Sequence, residues 1–268
     1  MPNEIMISFM EDNWNLEKQF ITGFRDLDNY IKKVKTGSLI TIGGRPAMGK
    51  TEFALSIFNN LLADNKKVMY LNLDLSKEYF INRLVANKTN LPIKYILDRS
   101  IKNKENTDWE YIATDLFFYD DKKFKVLNEY NMTIEEFERK INNNRDIDIV
   151  IVDYIQLLKN TNEDFDIIHE LKRMAIEKDI IIIVLSQISR RVEHRNDHRP
   201  MLADLKTFSS LEELSDVVLM LYRESYYNLD EDVSPNLELI IRKNNFGAVG
   251  SLKLDYKNDH FTDIEPLF

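Results

Sequence analysis

The chain has 268 residues, 44% of them hydrophobic and 30% charged, and a net charge of −9. That length supports one large domain with its own core, the lack of cysteine excludes disulfides and thiolate metal sites, and no run approaches the roughly 20 apolar residues of a membrane span. The acidic balance argues against coating of nucleic acid by the whole surface, though not against a local basic channel.

Residues 1–20 are weakly periodic and read as an arm or linker ahead of a body at 21–268. The opening MPNEIMISFMEDNW lacks the basic-then-apolar pattern of a signal peptide, so a cytoplasmic location is expected. Thr22 to Lys35 carries Phe24, Leu27, Tyr30 and Ile31 at helical spacing. Thr36 to Gly43 then reads as a turn and a buried strand.

Gly44-Arg45-Pro46-Ala47-Met48-Gly49-Lys50-Thr51 fills the pattern G-x-x-x-x-G-K-[ST]. A helix with Phe53, Ile57 and Leu61 on one face follows over Glu52 to Leu62. The loop therefore sits between a strand and a helix N-terminus, where free N–H groups and the helix dipole favour anions. Glycines let the backbone wrap phosphate oxygens closely. Lys50 is expected to bridge the β- and γ-phosphates of ATP, and Thr51 to hold Mg²⁺.

Lys67 to Asp74 reads as a second buried strand ending in a carboxylate, and Ser76 to Ala86 as a helix. Asp74 is the candidate to orient the attacking water, with Glu78 as a fallback one turn into the helix. Residues 93–114 read as helices with surface loops, and Leu116 to Tyr119 as a short strand. Thr133 and Glu136 form a capping box for a helix to Ile141. Ile147 to Asp153 is a buried β-branched run. Asp153 at its end is the second Mg²⁺ residue, since ligands in open α/β sheets bind beyond the carboxyl ends of strands. Phe165 to Glu177 is helical, Ile180 to Leu185 is a strand, and Gln187 just beyond it is placed to sense the γ-phosphate.

Ser189 to Lys206 is the most basic part of the chain, with Arg190, Arg191, Arg195, Arg199 and Lys206. It reads equally well as a solvated loop and as a surface for nucleic-acid phosphates. His194 and His198 within it read as solvated side chains. Val217 to Tyr222 is a further strand, Leu229 to Asn236 an acidic surface loop, and Leu237 to Tyr256 a hairpin turning through Asn244 to Gly247. Continuous apolar strands alternating with helices imply an α/β fold with a mostly parallel sheet covered on both faces.

From about Thr22 to Ile264 the chain resembles the ATPase domain of DnaB-type replicative helicases, in the RecA-like class of P-loop proteins. The resemblance lies in TGFRDLD, GGRPAMGKT, IVIVDYIQLL, VLSQISRRVEHRNDHRP, ADLK followed by LEELSDVVLMLYRE, and IIRKNNFGAVGSLKL. It implies a RecA-like fold with a C-terminal β-hairpin, and a hexameric ring that binds ATP between subunits. It implies movement along single-stranded DNA in replication, with a helicase loader or primase as further partners. By position, Lys50, Thr51 and Asp153 match the ATP and Mg²⁺ residues, and Gln187 the phosphate-coupling glutamine. Arg83 matches an arginine of the ATP site. Asp204 to Lys206 matches the start of a DNA-contacting loop, and Lys243 a lysine reaching into the neighbour's ATP site, with Arg242 beside it.

Four departures accompany these matches. Asp74 stands where the family has a catalytic glutamate, and Asn245 where it has an arginine finger. Lys206-Thr207-Phe208-Ser209 replaces Arg-Glu-Ser-Gly. The family's N-terminal domain has no counterpart in this sequence. Two readings follow: a ring ATPase working on single-stranded DNA, and a diverged ATP-binding assembly or regulatory subunit that hydrolyses poorly. A small-molecule kinase would account for neither the basic stretch nor the terminal hairpin.

Overall fold

The structure, a computed structural model, describes residues 20–32, 34–98, 123–144, 146–161, 166–228, 236–258 and 260–264, with the backbone alone at 206 and 207. Its strands are β1 (Leu39–Gly44), β2 (Val68–Asn72), β3 (Phe124–Asn128), β4 (Ile149–Asp153), β5 (Ile181–Gln187), β6 (Val217–Tyr222), β7 (Leu237–Asn244), β8 (Gly250–Lys257) and β9 (His260–Asp263). Its helices are α1 (Arg25–Ile31), α2 (Lys50–Ala63), α3 (Lys77–Thr89), α4 (Ile93–Leu97), α5 (Ile134–Asn142), α6 (Ile167–Glu177), α7 (Ser209–Leu214) and α8 (Glu224–Tyr227).

Among the described residues the strands form one sheet in the order β3-β2-β4-β5-β1-β6-β7-β8-β9. β3 to β6 in that order run parallel, and β7, β8 and β9 extend the sheet antiparallel. The parallel strands are buried on both faces, which is why they read as unbroken apolar runs. Alternation divides their side chains between two cores. Ile40, Ile42, Val68, Tyr70, Ile149 and Ile151 face a core with Phe53, Phe58 and Leu61 of α2 and Phe80 of α3. Leu39, Met69, Leu71, Val150 and Val152 face the other, with Phe137 of α5 and Ile168, Leu171 and Met174 of α6.

Caps set several boundaries. The Ser76 hydroxyl accepts from the Tyr79 N–H at 3.2 Å and starts α3. Thr133 and Glu136 exchange side-chain to backbone bonds of 3.2 and 3.1 Å at the start of α5. Asn90, with φ of 54°, ends α3 in the left-handed region.

Three features depart from the sequence reading. The strand expected at Leu116 to Tyr119 lies outside the described residues, as do most of 93–114 and the acidic loop at 229–235, while Phe124–Asn128 forms the sheet edge. That run was not legible because only Leu127 is buried, as befits an edge strand. The C-terminal hairpin gains a third strand, β9, whose Phe261 meets Phe53 of α2 edge-on at 6.0 Å. Phe20, assigned to the arm, is buried in the core beside α1.

Candidate nucleotide site and basic segment

The loop Gly44–Thr51 leaves the carboxyl end of β1 and enters α2. Gly49 caps that helix with φ of 88°, a conformation that excludes most side chains. An added Cβ there would also come within 2.8 Å of the Phe261 ring. The Lys50 ammonium folds over the loop and donates to the Gly44 and Arg45 carbonyls, each at 3.0 Å. Burial pushes its pKa down to about 8, against the opposing pull of the Asp153 carboxylate.

Asp153 ends β4, one strand removed from β1, and is only 3% exposed. Burial raises its pKa, while hydrogen bonds from Tyr70 and Thr51 and the charge of Lys50 oppose that rise. The Tyr70 hydroxyl donates to its Oδ2 at 2.9 Å. A buried carboxylate bonded to the hydroxyl that follows the P-loop lysine is an oxygen-donor pair suited to Mg²⁺.

Asp74 is exposed, just past the end of β2, where the Leu73 N–H donates to the Asp153 carbonyl at 2.9 Å. Its charge acts on both Lys50 and Asp153. Glu78 is exposed in the first turn of α3. Gln187 ends β5 in register with Gly44. Lys50, Thr51, Asp153, Asp74 and Gln187 thus converge at the carboxyl edge of the parallel strands. Arg83 pairs with Glu52 of α2 and lies 4.9 Å above the Tyr79 ring, so it flanks α2.

Some residues at this edge escaped the sequence reading. Gln156, in the turn after β4, donates to the Ser186 hydroxyl at 2.9 Å and the Gln187 carbonyl at 3.1 Å. It also accepts from the Gln187 N–H at 3.2 Å, so it clamps the end of β5. Its signal was its place three residues after Asp153. Arg223, just past β6, donates to the Ala47 carbonyl at 2.9 Å and lies 5.1 Å above the Tyr256 ring. Nothing local in the sequence marks either contact.

The basic segment runs from β5 through 3₁₀ turns at Arg190–His194 and Leu202–Phe208. Arg190 and Arg191 are exposed. Arg195 turns inward to Asp204, with Nη1 to Oδ1 at 3.1 Å and a second bond from Nη2. Arg199 pairs with Glu238 of β7 and lies 5.6 Å above the Tyr222 ring. His198, expected to be solvated, instead stacks on Tyr227 at 4.3 Å. The aromatic rings missing from the run itself come from β6 and α8. The Lys206 side chain lies outside the described residues. Arg45 of the P-loop joins the segment, with Nε to Glu193 at 2.8 Å and Nη1 to the Ile188 carbonyl at 3.1 Å.

The remaining candidates sit on β7. Lys243 pairs in register with Val218 near the start of β6 and donates to the Glu212 and Glu213 carbonyls at 2.9 and 2.8 Å. Arg242 donates to the Pro200 carbonyl at 2.8 Å. Asn245 bonds through its backbone N–H and side chain to Asp216. Lys243 and Asn245 are therefore at the amino end of the parallel strands, away from their own chain's P-loop.

A family model described as the DnaB-like helicase C terminal domain matches residues 20–265. A probable plasmid replicative DNA helicase of Chlamydia psittaci is 33% identical over 249 residues, covering 88% of this chain and 53% of the relative. A replicative DNA helicase DnaB of Geobacillus stearothermophilus is 28% identical over 261 residues, covering 92% and 57%. The chain thus spans just over half the length of these relatives. Among solved structures, an isolated ATPase domain superposes with a TM-score of 0.86 at 27% identity over 98% of both chains. A DnaB-like replicative helicase, studied for its interactions with primase, gives 0.87 at 27% identity over 99% of this chain and 69% of that one.

Proposed function

The chain belongs to the DnaB-like helicase C-terminal domain family, and from that premise we propose that it is the ATP-hydrolysing motor of a replicative DNA helicase that moves along single-stranded DNA. Its fold is the RecA-like ATPase fold of those structural neighbours. The observation that carries the proposal is the joining of a complete P-loop to Asp153 through the Thr51 hydroxyl at one sheet edge.

Lys50 would exchange its two carbonyl partners for phosphate oxygens, which accept more strongly because they are charged. Thr51 and Asp153 would hold Mg²⁺, which supplies neutralisation of charge on the terminal phosphates. Asp74 would orient the attacking water and Gln187 would meet the γ-phosphate. Gln156 would pass a shift of Gln187 to the end of β5 and so to the segment that follows. Arg83 would support the first turn of α2 through Glu52 rather than touch phosphate.

Single-stranded DNA would run past Arg190, Arg191 and Lys206, with Arg195 and Arg199 bracing the segment from within. Residues 21–268 would act as one motor body behind the arm. Lys243, with Arg242 beside it, would serve a neighbouring copy's ATP site, since it sits far from its own, which makes a closed ring, a hexamer, the working form. A cytoplasmic setting and a loader or primase partner fit that role; among the described residues no helix is long and apolar enough to cross a membrane.

A second reading rests on Asp74 and Asn245. A carboxylate one methylene shorter misplaces its oxygens by about 1 Å, and such an error can cost on the order of a hundredfold in rate. Loss of an arginine finger can cost a factor of about 10³–10⁵. The protein would then be an ATP-binding assembly or regulatory subunit of a replication or recombination complex. Steady-state ATP hydrolysis with and without single-stranded DNA, beside Asp74→Glu, separates the two. DNA-stimulated turnover supports the motor. ATP binding with background turnover that Asp74→Glu does not raise supports the regulatory subunit.

A further inference from the structure

We propose that Tyr70 is a positioning residue for the metal site, holding the Asp153 carboxylate in the orientation in which it meets Thr51. This rests on the reading of Asp153 as a Mg²⁺ residue. Tyr70 stands on β2 beside Ile151 of β4, two residues short of the register pair Asn72 and Asp153. Its ring is fully buried and wedged between Phe58 of α2, 5.7 Å away at 90°, and Phe80 of α3, 4.9 Å away at 54°. Those contacts fix the ring, and the ring fixes its hydroxyl, which donates to Asp153 Oδ2 at 2.9 Å.

Packing alone does not call for the hydroxyl. The neighbouring rings are phenylalanines, and a phenol buried without a partner is costly. Asn72, the β2 residue nearest to Asp153 in register, is turned elsewhere: its side chain bonds to the Leu75 backbone at 2.7 and 3.0 Å and to Asn128 of β3. Tyr70 is thus the β2 donor that Asp153 has. With Oδ2 held from below the sheet edge, the carboxylate keeps a fixed rotamer toward the P-loop. Groups that hydrogen-bond a metal-site side chain from behind typically contribute 10–100-fold in metal affinity.

The test uses the full chain and a non-hydrolysable ATP analogue, with bound metal read from the Mn²⁺ spin-resonance signal, so no turnover is needed. In wild type, metal should tighten nucleotide binding, and Asp153→Asn should remove that effect. Failure of either result overturns the site reading and the proposal with it. Tyr70→Phe should raise half-saturating Mn²⁺ roughly tenfold and leave metal-free nucleotide binding unchanged. If Asp153→Asn loses the metal and Tyr70→Phe does not shift it, the proposal alone is overturned. On an Asp153→Asn background, Tyr70→Phe should add nothing; a further loss would mean that Tyr70 acts elsewhere.

Ile168→Val, on the opposite face of the sheet, controls for general destabilisation. An equal metal effect there would also overturn the proposal. Ortho-fluorotyrosine placed at position 70 keeps the test open should Tyr70→Phe fail to fold. Its fluorine resonance should shift when Mg²⁺ and the analogue are added together, and an unmoved resonance would overturn the assignment.

Discussion

The phosphate loop and the basic segment lie side by side, joined where Arg45 grips Glu193 and the Ile188 carbonyl. They are built on opposite rules. The loop acts through backbone N–H groups and one lysine held by a helix start, so its residue pattern is nearly its geometry. The segment acts, if it binds a strand, through side-chain charge, and charge is free to turn inward. Arg195 does so toward Asp204, whose side chain is only 4% exposed, and Arg199 does so toward Glu238. A string of arginines in a sequence is thus a weaker statement than a string of P-loop residues. The same residue type braces the fold at one position and faces solvent five residues earlier.

The sharpest way to break this comparison is at the loop. Lys50→Ala should reduce ATP turnover at least about a hundredfold, in line with removal of a fixed electrostatic donor at a reacting centre. Unchanged turnover would mean that the loop is not the site. Next comes Arg195→Ala, which strands the buried Asp204 carboxylate. Breaking a fully buried pair costs about 3–5 kcal/mol; Arg195 is 27% exposed, so about 2 kcal/mol is expected here. For a domain of this size that lowers the thermal midpoint by about 4–8 °C. A stability equal to wild type, with weakened strand binding, would return Arg195 to the binding surface.

The converse is expected at the exposed positions. Arg190→Ala and Arg191→Ala should leave the thermal midpoint alone. Each should lower the slope of log binding constant against log salt by about 0.7 on single strands, for one lost phosphate contact. An unaltered slope would remove them from the strand path.

The smallest effect is the pH response of Lys50. Its folded-state pKa, about 8, lies below its unfolded value near 10.4. Between those values the native state binds fewer protons than the unfolded chain, so this group's contribution to stability rises with pH across that window and is least favourable below it. Nucleotide binding has the opposite sign, because it needs the ammonium. Nucleotide affinity should fall by a few-fold as pH climbs through about 8, and Lys50→Arg should flatten that fall, since arginine stays charged. A pH-independent affinity in wild type would show that Lys50 stays protonated throughout.

Much of the fold and of the nucleotide site was legible beforehand. Strands buried on both faces leave continuous Val, Ile and Leu runs, and the runs at β1, β2, β4, β5 and β6 all appear as strands. Asp153 and Gln187 were found because strand ends are where ligands bind in such sheets. Two strands were missed for opposite reasons. β3 is an edge with little burial, and β9 owes its place to Phe261 packing against Phe53 and the P-loop glycine.

What the sequence by itself determined is whatever depends on neighbours along the chain: the P-loop, the buried runs, and the caps at Ser76, Thr133 and Glu136. Tertiary structure alone decided which charges face inward, that Tyr70 rather than Asn72 meets Asp153, that Gln156 grips Gln187, and that Arg223 reaches Ala47. Those last three contacts join residues from 31 to 176 positions apart. A hydrogen bond is made by two side-chain directions meeting in space, and a local pattern fixes only one of them.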